Sequence, residues 1–384
     1  MPPRKQSLGS DRPDQPAAGA ETLWAVDLAD LIEAERADVL SVSLDVDPSR
    51  PEHQGQNPAY RIWLRNALRQ TLEAIPKEAR RGADELAQRI IRHVETNRPR
   101  GRGLAIFAAP GLWREYVLPV PLTNRAQYGR PDVVPVLWAV DEYEPYAILA
   151  VDREHARILI AYLGRTTTVD EETLELDTSD WRFKAGRQPS FTGRGGMGAG
   201  RGAQRDTFDS RVDDHVRRFW ARVAEAAART VRDLHIERLI IGGPDEAANA
   251  VRDLLPEAAR QKVVGLVHLP ARADRTEIQH RTLTVALAEE HHREADLVAA
   301  LVERAAAGRG AVLGTAATME ALKHRRAHTV VLARDLEGDR AQMLPLLARR
   351  SGARIELVGD SAAQALRAHE GIGAILRQNT PSTR

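Results

Sequence analysis

The chain of 384 residues contains no cysteine. That excludes disulfides, thiolate catalysis and cysteine-ligated zinc, and it suits a reducing cytosol. There is no run of about 18 apolar residues, so no transmembrane helix is expected. Nor is there a surplus of one charge. Lys and Arg number 55 and Asp and Glu 54, for a net +1, so the whole molecule is no polycation and any nucleic-acid contact must come from a local patch. No G-x-x-x-x-G-K-[ST] string occurs, which argues against a P-loop GTPase or ATPase. No G-x-S-x-G elbow groups the serines with a histidine and an acid.

A hydrophobic share of 43% with 28% charged residues describes a globular protein, and the length predicts two or three domains. Met1 to Ala20 is rich in Pro, Gly, Ser and charge, without an apolar core segment. It is expected to be a disordered tail and not a signal peptide, which places the protein in the cytoplasm.

The stretch 182–205 is the most informative. Its basic residues are Arg182, Lys184, Arg187, Arg194, Arg201 and Arg205, and no Asp or Glu interrupts them. Gly193, Gly195, Gly196, Gly198, Gly200 and Gly202 open backbone conformations closed to other residues, at an entropic cost to folding. Little here can join a core, so the composition predicts a loop mobile in isolation. A cationic finger of this kind suits a phosphate-rich partner, above all RNA. Composition alone leaves open a plain Gly/Arg insertion. Gly193 to Gly198 matches G-x-G-x-x-G literally, but the preceding Gly186 to Thr192 is not strand-like and no helix opens at the third glycine. A dinucleotide site is therefore not expected.

Around this loop the periodicities predict α/β units. In the segment 21–142, Asp38 to Val46 alternates with period two, and Ala59 to Ile75 and Ala83 to Val94 carry helical spacings through Ile62, Leu64, Leu68, Leu72, Leu86, Ile90 and Val94. Gly103 to Ala108 and Trp113 to Leu118 read as adjacent strands. The segment 143–274 holds two β runs, Ala147 to Asp152 and Ala156 to Tyr162, followed by the loop and a long helix Thr207 to His235. That helix has Val216, Phe219, Val223 and Ala227 on one face. Strand Arg238 to Gly242, helix Asp245 to Leu255 and strand Lys262 to Leu269 then imply a mostly parallel sheet. The segment 275–384 opens with a helix reaching about Ala307. Compact alternation follows: helix Thr315 to Arg326, strand Thr329 to Ala333, helix Arg340 to Arg350, strand Ala353 to Val358, helix Ser361 to His369 and a last apolar run, Ile372 to Leu376.

Two further motifs favour structural readings. Ile241 to Glu246 ends a strand and opens a helix, which could bind an anion at a helix N-terminus, yet Pro244 and the acids after it describe an ordinary βα turn. Glu289 to Glu294 contains His291 and Glu294 at metal-ligand spacing, but on so charged a helix a solvated face is the expectation. No metal and no cofactor is expected.

The order of these features resembles the archaeal and eukaryotic class I release factors and the surveillance factor Pelota. It looks most like their bacterial relatives, among them the ribosome hibernation factor Balon. In release factors a Gly-Arg-Gly-Gly-Gln loop precedes a helix with an Arg/Phe-rich start. Here Gly200-Arg201-Gly202-Ala203-Gln204 is followed by Arg205, Phe208 and Arg211. The resemblance implies an α/β, three-domain tRNA-mimic architecture with mixed sheets flanked by helices. It also implies a C-terminal α/β/α domain similar to kink-turn RNA-binding ribosomal proteins. It further implies ribosome A-site binding, in hibernation or rescue, with a translational GTPase such as EF-Tu as partner and neither membrane nor DNA. RNA contact would fall to Lys184, Arg187, Arg194, Gly195, Gly196, Arg201, Gly202 and Arg205. The alternative is release of peptide by hydrolysis, with Gln204 as the catalytic residue. Ala203 stands where that family has glycine and resists torsions that glycine adopts cheaply. The stop-codon strings Asn-Ile-Lys-Ser and Tyr-x-Cys-x-x-x-Phe are both absent, so codon-specific termination is not expected. A further alternative is an RNA-binding regulator working off the ribosome.

Overall fold

The computed structural model describes residues 28, 30–33, 36–173, 200–270 and 273–377, with backbone only over 200–212. The predicted N-terminal tail and the loop residues up to 199 lie outside the described residues. Among the described residues the protein is a mixed α/β fold with three sheets flanked by helices. Its chain divides into two compact units.

The central unit comprises Pro145–Ala161 and Thr166–Ala286. Its five-stranded sheet has the order β7-β6-β5-β8-β9, formed by β5 (Tyr146–Val151), β6 (His155–Tyr162), β7 (Arg165–Thr173), β8 (Leu239–Gly243) and β9 (Val263–His268). Strands β5, β8 and β9 are parallel, whereas β5 and β6 form an antiparallel pair. The sheet is therefore less parallel than the strand–helix alternation predicts, because a short turn joins β5 to β6 where a crossover helix would enforce parallel pairing. Period two assigns each side chain to a face. Ala147, Leu149, Ile158, Ile160, Leu239 and Ile241 pack on the 34-residue helix α4 (Gly200–Asp233) and on α5 (Asp245–Leu254) and α6 (Glu257–Arg260). Tyr146, Ile148, Leu159 and Ile240 face Ile278 and Ala286 of α7 (Arg275–Ala306).

The second unit comprises Ala18–Glu144, Tyr162–Arg165 and Leu287–Arg384. Its antiparallel sheet β3-β2-β1-β4 is built from β1 (Val39–Asp45), β2 (Gly103–Ala109), β3 (Leu112–Leu118) and β4 (Arg125–Gly129). Leu40, Val42 and Leu44 pack against Tyr60, Leu64 and Leu68 of α1 (Ala59–Ala74) and Ile90 and Val94 of α2 (Lys77–Thr96). The polar positions of β1 are buried too. Ser43 Oγ donates to the Thr123 carbonyl at 2.6 Å and Ser41 Oγ accepts from the Asp132 amide at 3.0 Å. Helix α3 (Val134–Glu142) follows β4.

The C-terminal sheet of the same unit has the order β10-β13-β11-β12. Its strands are β10 (Ala311–Leu313), β11 (Ala327–Ala333), β12 (Arg354–Val358) and β13 (Ile372–Leu376). Val330 and Leu332 face α8 (Thr315–Lys323) and α9 (Asp339–Ser351), whereas Val331 and Ala333 face α10 (Asp360–Arg367) and the end of α7. This is a three-layer α/β/α arrangement.

Candidate functional site

Helix α4 carries the residues that the sequence singles out. Its anchor is apolar: Val216, Phe219, Val223 and Ala227, at steps of three and four, are buried in the central core, Phe219 completely. Two polar links fix its azimuth at the β5–β6 turn. Trp220 Nε1 donates to the Asp152 carbonyl at 2.8 Å, and Arg153 pairs with Asp213 at 2.6 Å. The Asp152 carboxylate in turn accepts from the Glu154 and His155 amides, both at 2.7 Å, which holds that turn in shape. From Phe219 back to Gln204 the helix runs about 22 Å at 1.5 Å per residue.

The helix begins at Gly200, seven residues earlier than the sequence predicts. Arg201, Gly202, Ala203, Gln204 and Arg205 therefore have helical backbone and do not belong to a loop that precedes the helix. Ala203, Gln204 and Arg205 are good helix formers. Gly200 and Gly202 weaken only a first turn, whose amides lack intrahelical partners in any case. In a helix the Gln204 amide points along the axis towards the carbonyl four residues back. Lys184, Arg187, Arg194, Gly195 and Gly196 lie outside the described residues, as do the side chains of Arg201, Gln204 and Arg205.

The Ile241 to Glu246 turn proves to be a packing device. A Cβ on Gly242 would collide with Leu269 Cδ1, and one on Gly243 with the Val151 carbonyl. The space beside these glycines is about 20 Å³, too small for a phosphate. Pro244 sits at the N-cap of α5 with φ −57°.

Glu289 to Glu294 departs from the solvated face that the sequence predicts. Glu290 and Glu294 are 6% and 5% exposed. The α7 helix is there enclosed by α3 and β12, a neighbourhood that the local sequence does not announce. His291 Nε2 lies 3.0 Å from Glu142 Oε1, and Arg293 pairs with Glu290 at 3.0 Å. Burial, reinforced by Glu142 and Glu290, pushes the Glu294 carboxyl up to about 7. Burial likewise raises Asp141 and Glu356 beside it. Among the described residues no group of His, Asp and Glu has the geometry to hold a metal ion, and no helix is long and apolar enough to cross a membrane. Sequence reasoning missed the Glu142–His291 link, whose partners are far apart in the chain and share no motif.

Residues 131–287, a span that contains the central unit's sheet and α4, match the bacterial archaeo-eukaryotic release factor family 10. Comparison with curated proteins finds no match. Among solved structures the chain is similar to the archaeal translation termination factor aRF1, at 16% identity over 93% of this chain and 98% of that one, with a TM-score of 0.29. It is also similar to Dom34 of S. cerevisiae, a translation termination-like factor of RNA quality control, at 11% identity over 73% and 82%, with a TM-score of 0.42. Archaeal Pelota, in a ribosome-bound assembly with ABCE1, gives 13% identity over 92% and 94%, with a TM-score of 0.44. The similarity to a known family is thus carried by residues 131–287, the span that holds the central sheet and α4.

Proposed function

We propose that this protein binds the ribosomal A site and acts in hibernation or rescue, without hydrolysing peptidyl-tRNA. One observation carries the reading: in the family-matched unit, the acid-free basic stretch 182–205 runs directly into a helix whose far half is buried in the core. A rigid stem with a cationic, glycine-rich end is suited to placing charge against ribosomal RNA at a fixed distance from the anchoring sheet. Arg194, Arg201 and Arg205 make the backbone contacts, assisted by Lys184 and Arg187. Gly195, Gly196 and Gly202 allow close approach. A translational GTPase such as EF-Tu is the delivering partner, and the cytoplasm is the place of action.

Gln204 favours a second reading, release of the nascent chain, because an amide-bearing residue is kept at the place where the superfamily's loop has glutamine. The two readings part in one experiment. Pelleting with vacant ribosomes, repeated at low and high salt, should show co-sedimentation that falls as salt rises, and labelled peptidyl-tRNA in the P site should stay intact. Arg194→Ala, Arg201→Ala and Arg205→Ala combined should weaken the association and flatten its salt dependence, since each lost phosphate contact lowers the log–log slope by about 0.9. Release of peptide that Gln204→Ala abolishes would favour the hydrolytic reading. Residence in the light gradient fractions at every salt concentration would sink both.

A further inference from the structure

At one end of the C-terminal sheet, the last turns of α7 and α8 meet the start of β11 and the end of β13. The Leu376 amide donates to the Gly310 carbonyl at 2.8 Å, the Arg377 amide donates to the Arg326 carbonyl at 2.7 Å, and Ala327 pairs with Leu376 across the strands. These bonds border an open groove of about 970 Å³ whose lining includes Arg304, Arg309, His328 and Arg377, with Glu303 the one acid among the described residues. Arg325 and Arg326 extend the same edge, and all six of these basic residues are exposed. Among the described residues no carboxylate lies within ion-pair distance of Arg304, Arg309, Arg325 or Arg326. The nearest acid on α8, Glu320, is engaged by His324 at 2.8 Å. The Arg377 guanidinium is held in the groove wall by the carbonyls of Ala327 at 3.0 Å and Gly352 at 2.6 Å, and so keeps a fixed position.

The helix dipole accounts for part of this pattern, since cations are favoured at helix C-termini by a few tenths of a kcal/mol each. It does not account for Arg309, beyond the end of α7, His328, on β11, or Arg377, just after β13. Arg325 adds a second observation. The helix α8 closes with the Arg325 amide bonded to the Leu322 carbonyl at 3.0 Å and the Arg326 amide to the Ala321 carbonyl at 2.8 Å. In that closure the left-handed position normally belongs to glycine, as it does at the end of α7, where Gly308 has φ +64°. At the end of α8 the place is taken by Arg325 at φ +53°. A charged side chain thus occupies a position where the backbone favours none.

We infer that this groove is an RNA-binding surface separate from the 182–205 stretch, and that it takes the phosphate backbone of double-stranded RNA. The chemistry of the lining selects that ligand. Guanidinium groups suit phosphate oxygens bidentately, and among the described residues no Phe, Tyr or Trp lines the groove to stack an unpaired base. The contact reads backbone shape and charge, not sequence. It does not depend on the ribosome as the source of the RNA.

The test is equilibrium binding of a fluorescent RNA duplex of about 16 base pairs, the span of a typical double-strand reader, to the full chain over a salt series. Replacing Arg304, Arg309, Arg325 and Arg326 together by Gln should weaken binding at least tenfold and lower the log–log salt slope by about 3 to 4. The Arg194, Arg201 and Arg205 triple variant should keep the four-arginine contribution intact. Arg325→Gly guards against misfolding as an explanation, because glycine suits the left-handed position: its melting temperature should equal or exceed that of the natural protein while duplex affinity falls. Wild-type affinity in both the folded four-arginine variant and Arg325→Gly would overturn the inference. So would competition by a poly-glutamate peptide as effective as unlabelled duplex at equal charge, which would point to an acidic protein partner.

Discussion

The backbone N–H of Gly359 donates to Glu294 Oε2 at 2.9 Å, and the carboxylate that accepts it is almost wholly buried. A parallel link joins the Leu357 amide to Asp141 Oδ2 at 2.9 Å. Acids from α7 and α3 thus hold the main chain at the corner between β12 and α10. Burial is the leading cause of their raised titration, with the neighbouring acids adding to it.

A pH dependence follows. Glu294 titrates near 7 in the fold against 4.5 when free, so between those values the folded chain holds the extra proton. Stability is then fully present below pH 4.5 and falls as pH rises towards 7. Asp47 works in the opposite sense. Burial would raise its carboxyl, but the Arg102 guanidinium and the Ser49 donors hold it near 2, so its effect is confined to pH values below 3.8. Urea unfolding at pH 5.5 and pH 8 should therefore give the higher stability at pH 5.5. Glu294→Gln, which keeps an acceptor for the Gly359 amide, should flatten that slope and be at least as stable as the natural protein at pH 8. An unchanged slope in the variant would show that Glu294 is not its source.

Arg125 and Asp132 form a buried pair 3.2 Å apart, and the guanidinium also donates to the Leu336 carbonyl at 2.9 Å. Removing one member of such a pair costs about 3–5 kcal/mol, because the other is stranded away from water. Arg125→Leu should show that loss at pH 8. The loss should shrink at pH 5, since burial already raises the Asp132 carboxyl and without Arg125 it takes up a proton more readily. Equal losses at the two pH values would mean that Asp132 is not stranded as a charge.

Much of this fold was legible in the chain, and the misses have physical causes. The strands β1 and β2 and the helix α1 follow from periodicity to within about a residue, whereas α2 and α4 start well before the predicted Ala83 and Thr207, and Ile62, placed on the buried face of α1 by spacing, is 54% exposed. Helix α3 escaped because it is apolar nearly all round, with Val134, Pro135, Val136, Ala139 and even Glu142 buried, so it has no polar face to set a period. Strand β10 has only three residues, and the polar β7 shows no alternation. At the site, composition found the cationic stretch. It could not find the basic groove beside β13, whose residues come from α7, the turn after it, β11 and the end of β13 and meet only when the sheet forms.

The anchor of α4 gives a stability prediction. Phe219→Ala should cost about 3–5 kcal/mol, since the ring is fully enclosed between β5, β8 and the helix itself. Trp220→Phe keeps most of the packing and loses one hydrogen bond to Asp152, for a cost of about 1 kcal/mol. Denaturant titration of the two variants should rank them in that order. A Phe219→Ala protein within about 1 kcal/mol of the natural one would show that the core closes around the gap.

The last prediction concerns chemistry. Peptide release by a Gln loop requires the backbone at that residue to present its amide to the developing oxyanion. In this chain Gln204 lies in helix α4 after Ala203, the residue type that favours helix most, whereas glycine there would disfavour helix by about 1 kcal/mol. The natural protein should therefore bind ribosomes and leave peptidyl-tRNA intact. Ala203→Gly removes one methyl group, loosens the first turns of the helix and restores the Gly-Gln pair of the release factors, which makes it the sharpest probe of the difference. Gain of release in Ala203→Gly, lost again in Ala203→Gly with Gln204→Ala, would show that this one methyl group separates an A-site factor from a releasing one. Release by the natural protein itself, abolished by Gln204→Ala, would overturn the non-hydrolytic reading. If Ala203→Gly binds but stays silent, hydrolysis is blocked by more than the torsions at 203, and the helical start of α4 at Gly200 is the structural feature to remove next, by Arg205→Pro, which keeps Gln204 and disfavours helical backbone at it.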